Sequence, residues 1–182
     1  MKITDESLFQ SKIKSVLITE DEIKEKISQA AKDINERFAS KPLLLISVLK
    51  GSFVFLSDLM REMKIPCEVA FMAAKSYFDE TSPCESVQIT LDIDRDISEY
   101  NVIIVEDIID TGRTLKEIVK ILERRKPLSL SVITLLDKPS RRLVDFDADC
   151  SLFTIENRFV IGYGLDYGEY YRNLPYIAEL SE

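Results

Sequence analysis

The residues best suited to chemistry lie between positions 102 and 118 of this 182-residue chain, which read VIIVEDIIDTGRTLKEI. An apolar run ends in two adjacent carboxylates, Glu106 and Asp107. A third carboxylate, Asp110, comes three residues later, then Thr111-Gly112, then a helical pattern opened by a capping box, Thr114-x-x-Glu117. In open α/β sheets, ligands sit beyond the carboxyl ends of strands. A helix N-terminus preceded by a glycine turn presents backbone N–H groups that suit a phosphate. One segment therefore joins an anion cradle to carboxylates, the pairing wanted by a sugar phosphate whose hydroxyls need acceptors. Three carboxylates with no basic residue before Arg113 would be a poor choice for a merely solvated turn.

The chain has no histidine. That removes the commonest general base and every Ser-His or Cys-His scheme, so acid–base chemistry falls to carboxylates, lysines or tyrosines. With 24 basic and 32 acidic residues the net charge is −8. Such a field repels nucleic acid, and a phosphorylated substrate needs local cations or a divalent metal to overcome it. Two lookalikes fail. TGRT resembles the end of a P-loop, but that motif needs glycine where Asp107 stands and lysine where Arg113 stands. Asp92, Asp94 and Asp96 have calcium-loop spacing, but Ile97 replaces the required glycine and Ile103 the glutamate. That run reads as a solvated edge or loop.

These residues are to be positioned by alternating elements. The patterns predict strands over 43–49, 67–74, 102–105 and 128–136, and helices carrying Phe55, Leu56, Leu59, Met60 and Met63, then Leu115, Ile118, Val119 and Leu122. Thr19-x-x-Glu22 is a second capping box, followed at helical spacing by Ile23, Ile27, Ala30, Ile34 and Phe38. Strands alternating with helices indicate an α/β domain with a mainly parallel sheet. Residues 1–18 read as an arm on the body, and polar residues 75–86 as a long loop. An apolar fraction of 46% excludes a disordered chain, and the length suits one domain. No apolar run approaches the ~18 residues of a membrane span, and the mixed charges of MKITDESLFQSKIK do not make a signal peptide. Cys67, Cys84 and Cys150 lack CxxC spacing, so neither a disulfide framework nor a zinc knuckle is expected, and a reducing cytoplasm is.

VEDIIDTGRTL closely resembles the phosphoribosyl-pyrophosphate-binding signature of the type I phosphoribosyltransferases, in the form carried by hypoxanthine-guanine phosphoribosyltransferases. Further similar pieces follow: VLKGS at 48–52, KSY at 75–77, LLDKPSRR at 135–142 and FVIGYGLDYGEYYRNLPYI at 159–177. All five glycines, Gly51, Gly112, Gly162, Gly164 and Gly168, fall inside these motifs. The resemblance implies a mainly parallel twisted sheet flanked by helices in a single domain over 1–182. It implies a core over about 40–140, a small hood from 1–18 and 141–182, and a lid over about 75–87.

The implied reaction is attack of a purine nitrogen on the anomeric carbon of phosphoribosyl pyrophosphate, with Mg²⁺ and an oxocarbenium-like transition state, giving IMP and GMP. By the same resemblance Asp110 is the general acid–base residue, placed to handle the proton on purine N7. Glu106 and Asp107 hold the ribose hydroxyls directly or through magnesium, with Asp166 a further magnesium ligand. The 5′-phosphate falls to the loop of Ile108, Ile109, Asp110, Thr111, Gly112, Arg113 and Thr114. Lys138 donates to the purine 6-oxygen, Phe159 stacks on the ring, and Val160 and Asp166 border it. Lys50, Gly51 and Arg172 take the pyrophosphate, with a cis Leu49–Lys50 peptide, while Ser76 and Tyr77 belong to the lid. Small-molecule substrates and a homodimer or homotetramer are implied, with neither nucleic acid nor membrane as partner. Two alternatives stay open: a non-catalytic nucleotide-sensing regulator of the same fold, and a xanthine-preferring transferase. Ala70, Lys75 and Glu156-Asn157 depart from the common family pattern at positions touching purine preference and the lid hinge.

Overall fold

Short runs apolar at every position are stable only as strands covered on both faces. In the computed structural model, which describes residues 12–77 and 86–181, they form a six-stranded sheet ordered β4-β3-β2-β5-β6-β7. Its strands are β2 (Leu43–Leu49), β3 (Glu68–Tyr77), β4 (Ser86–Leu91), β5 (Asn101–Ile109), β6 (Ser129–Asp137) and β7 (Cys150–Thr154). All neighbours are parallel except β4, which runs antiparallel along β3. Alternate side chains of each strand point to opposite faces, so two cores form. Leu43, Leu45, Ile103 and Val105 pack with helices α1 (Glu20–Arg37) and α2 (Phe53–Glu62). Leu44, Ile46, Val102 and Ile104 pack with Leu115, Ile118 and Leu122 of α3 (Arg113–Glu123).

A second sheet is antiparallel, ordered β1-β9-β8, from β1 (Ile13–Ile18), β8 (Val160–Ile161) and β9 (Ile177–Leu180). The segment expected as a terminal arm is thus a strand from Ile13, with Ile18 opposite Ile177. Two other expectations change. Lys75, Ser76 and Tyr77 continue β3 because β4 supplies their ladder partners, so the long loop is shorter than its polar composition suggests. The rest of the expected lid, 78–85, lies outside the described residues. Residues 150–154, inside the range expected for the hood, pair in parallel with β6 and extend the main sheet. No helix among the described residues is long and apolar enough to cross a membrane.

The Thr19 capping box forms. The Thr19 hydroxyl accepts the Glu22 N–H at 3.3 Å, and the Glu22 carboxylate accepts the Thr19 N–H at 2.8 Å. This fixes the start of the helix that contributes Ile23, Ile27 and Ile34 to the core. Thr19→Ala should cost about 1 kcal/mol of stability in urea unfolding, with activity unchanged. A loss below a few tenths would show that packing alone sets this helix end.

Candidate active site

A right-handed crossover places its helix on a face decided by the direction in which the chain moves across the sheet. From β2 the chain crosses through α2 to β3 on one side; from β5 it crosses through α3 to β6 on the other. The order therefore reverses between β2 and β5, and a crevice opens beyond their carboxyl ends. On one side β2 leaves through a cis Leu49–Lys50 peptide into Gly51. Buried Ser52 Oγ donates to Val48 O at 2.5 Å and accepts from Ser47 Oγ at 2.6 Å, which ties the turn to its strand. On the other side stands Asp107. A Cβ on Gly51 would fall inside the Asp107 carboxylate, so only glycine fits.

Glu106 and Asp107 lie within hydrogen-bonding reach of each other. Glu106 Oε2 is buried without a partner. Burial, and then the charge of Asp107, push the Glu106 carboxyl well above its usual range. Burial also raises Asp107, against the Ile108 N–H that its Oδ1 accepts at 2.7 Å. Two carboxyls this close and this buried hold a proton between them unless a cation or several donors arrive. The donor set and the orphaned oxygen fit a hard divalent cation or a pair of sugar hydroxyls.

Beyond β5 the chain turns through Gly112, whose φ of 78° suits glycine, directly into α3. No side chain caps this helix. The expected Thr114-x-x-Glu117 box is not formed, because the helix starts two residues earlier than that box would set, at Arg113 with Gly112 as its N-cap, and Thr114 falls in its first turn. Gly112 offers no side-chain acceptor of its own, and Thr111 Oγ1 accepts the Arg113 N–H only at 3.4 Å, an arrangement that suits an anion cradle of backbone donors.

The turn is braced by the segment after β6. Ile109 O accepts the Lys138 N–H at 3.0 Å, and Thr111 O the Leu143 N–H at 3.1 Å. Asp110 O accepts from Arg142 at 2.6 Å, and Asp110 Oδ1 from Arg141 Nε at 2.9 Å. Lys138 is buried, which lowers its ammonium pKa, while the nearby Asp110 charge opposes that shift. Asp110 and Lys138, 28 positions apart in the chain, thus share one end of the crevice.

The segment from Phe159 to Arg172 covers the other end. Phe159 is 56% exposed and meets Tyr167 edge-on, with ring centroids 5.8 Å apart. Val160 is buried in β8. Gly164 lies against Gly51 O with no room for a Cβ. Tyr163 OH donates to Asp58 of α2 at 2.5 Å, which anchors the same loop. Arg172 donates to Gly164 O at 2.8 Å and pairs with Asp166 at 2.8 Å and Glu169 at 3.2 Å. Glu169 also takes Lys50 at 3.1 Å. Lys50 and Arg172 are therefore brought together, and the Arg172 charge reaches Asp107.

Asp166 faces Arg172 and the Glu169 N–H, and among the described residues no group of three or more acidic or cysteine side chains is placed to hold a metal. The expected trio Glu106, Asp107 and Asp166 is not gathered as one ligand set. Ser76 and Tyr77 end β3, opposite Val87 and Ser86.

A model of the phosphoribosyl transferase domain matches residues 17–168. The chain belongs to the phosphoribosyltransferase family. It is 46% identical to the hypoxanthine phosphoribosyltransferase of Salmonella typhimurium over 167 residues, 91% of this chain and 94% of that one. It is 42% identical to the hypoxanthine-guanine phosphoribosyltransferase of Streptococcus pneumoniae over 175 residues, 96% and 97% of the two chains. A crystal structure of the Staphylococcus aureus hypoxanthine phosphoribosyltransferase superposes with a TM-score of 0.91 at 39% identity, covering 99% of this chain and 97% of that one. The fold is the type I phosphoribosyltransferase fold.

In this phosphoribosyltransferase the sequence reading missed Arg141, Arg142, Tyr167 and Glu169. All four lie inside matched motifs, but nothing local says that an arginine pair meets a carboxylate about 30 residues earlier, and that is where the sheet puts them.

The buried acidic pair has a consequence for stability. In the unfolded chain Glu106 and Asp107 titrate near 4.5 and 3.8; in the folded protein both are raised. The folded state holds protons more tightly, so the stability they contribute is complete below those values and is lost as pH rises through the raised ones. Glu106→Gln should flatten this decline and raise the urea midpoint of the ligand-free protein at about pH 8. An unchanged midpoint from about pH 5 to about pH 8 would show that the pair carries no such strain.

Proposed function

We propose that this chain is a purine-salvage enzyme that transfers the 5-phosphoribosyl group from phosphoribosyl pyrophosphate to hypoxanthine, and to guanine, releasing pyrophosphate and giving IMP or GMP. The observation that supports this reading is the joining of the β5–α3 turn to the segment after β6, which brings the Asp110 carboxylate near the buried amine of Lys138. A phosphate on the turn puts the anomeric carbon above Glu106 and Asp107, and a 6-oxopurine whose oxygen accepts from Lys138 puts N7 near Asp110. Purine N9 bonds to C1′ as the C1′–O bond to pyrophosphate breaks. Asp110 accepts the N7 proton, and Phe159 with buried Val160 flanks the base.

Lys50, the Gly51 backbone and Arg172 receive the leaving pyrophosphate. Holding both reactants in line and excluding water supplies most of the acceleration. Glu106 and Asp107 would hold Mg²⁺ together with the ribose hydroxyls; the buried, unpartnered Oε2 of Glu106 supports this. The metal supplies neutralisation of the negative charge that grows on pyrophosphate. Asp166, which pairs with Arg172 at 2.8 Å, would orient that cation. Ser76 and Tyr77 begin the lid over about 75–87. The enzyme works in the cytoplasm as a homodimer or homotetramer of single domains, as its family resemblance implies.

Protein mixed with hypoxanthine, phosphoribosyl pyrophosphate and Mg²⁺ should form IMP, and chelation of the metal should stop turnover until Mg²⁺ is restored. No turnover with any oxopurine would favour a nucleotide sensor. Asp110→Asn should bind GMP as the parent does and lose about 10²- to 10⁴-fold in kcat; an unchanged kcat would remove Asp110 from its role.

A further inference from the structure

In a planar trans peptide the C=O of one residue and the N–H of the next point in opposite directions. Among the described residues Leu49–Lys50 alone is a cis peptide, so residues 109–112 obey this geometry. Three successive carbonyls of the turn, those of Ile109, Asp110 and Thr111, are all drawn toward the segment after β6. The following N–H groups, of Asp110, Thr111 and Gly112, are thereby turned the other way. Backbone donors of two neighbouring peptides hold the outer carbonyls, from Lys138 and Leu143. The middle carbonyl alone of the three is held by a side chain, that of Arg142.

Arg142 is built for this task. One guanidinium nitrogen donates to Asp110 O at 2.6 Å and the other pairs with Asp137. Both side chains are only 12% exposed, and Asp137 sits at the end of β6. The stem of Arg142 crosses Gly112 so closely that a Cβ there would lie 2.9 Å from its Cδ. The third nitrogen, Nε, is buried without a partner, so the side chain is placed here at a cost in lost hydrogen bonding.

We propose that Arg142 is a positioning residue that orients the Asp110–Thr111 peptide, so that the turn's N–H groups face the 5′-phosphate of the substrate. This rests on the reading of that turn as the phosphate site. Asp137 in turn fixes the guanidinium by a charge-assisted bond.

Arg142→Met alone would strand the buried Asp137 charge and threaten folding, so the test pairs it with Asp137→Asn. In the double variant Asp137→Asn/Arg142→Met, KM for phosphoribosyl pyrophosphate should rise about tenfold over Asp137→Asn alone, with KM for hypoxanthine within about twofold. Arg142→Lys in the Asp137→Asn background, which can still reach one carbonyl, should recover most of the loss. Both KM values rising together, or neither rising, would overturn the proposal. Absence of turnover in the unsubstituted protein would defeat the reading of the site itself, whereas normal turnover with an unmoved KM would defeat only the part given to Arg142.

Discussion

The approach of the Gly51 backbone to the Asp107 carboxylate is the constraint on which the site depends. These groups belong to β2 and β5, the two strands between which the sheet reverses its order, and they meet where any side chain on residue 51 would overlap the acid. The close approach keeps the crevice narrow at its floor. It also buries Asp107 and Glu106, and the shifted protonation of both acids follows from that burial. Gly164 packs on the same Gly51 carbonyl from above. A single point thus fixes three chain segments: the turn after β2, the end of β5 and the loop that carries Arg172. None could move independently without opening the others.

The two sides of the crevice are held by different physics. Between β5 and β6 the holding is done by backbone carbonyls and largely shielded charge: successive peptides are locked by Lys138, Arg142 and Leu143. Such bonds are strong because little water competes for them. On the β2 side the contacts are exposed ion pairs, Lys50 with Glu169 at 3.1 Å, both side chains about two-thirds exposed. Pairs of that kind contribute little to stability and exchange partners readily. The division suits a reaction in which the phosphoribosyl end must be positioned and the pyrophosphate must leave.

Much of the framework was legible in the sequence because it rests on periodicity. The continuous apolar runs became β2, β5 and β6, and Thr19-x-x-Glu22 became a formed cap. Legibility failed where a pairing partner decides the structure. Lys75–Tyr77 look like loop by composition and are strand because β4 lies alongside. Thr114-x-x-Glu117 has the letters of a capping box, but Gly112 at positive φ starts the helix first. At the site, the carboxylates and Lys138 could be singled out from their motifs. Their couplings could not: Asp110 to Arg141 and Lys50 to Glu169 span 31 and 119 positions, and only the folded sheet sets them side by side.

An acidic chain that handles a polyphosphate faces a repulsion that this architecture meets locally. Net charge is −8, yet the acids nearest the reacting ring are those whose burial favours the neutral form. The proposed phosphate cradle is made of peptide N–H groups, whose partial positive charge is fixed in place and needs no counterion. The cations Lys50 and Arg172 rest on Glu169 and Asp166. Under the proposed assignment of these two cations to the pyrophosphate, the incoming group displaces carboxylates from them, and on its departure those carboxylates stand ready to take the cations back. Exchange of one anion for another changes the local charge far less than binding to bare cations would, so entry and release of the same group can both stay within reach. The exposure of Glu169 fits that role, since a buried carboxylate could not give up its cations without a large desolvation cost.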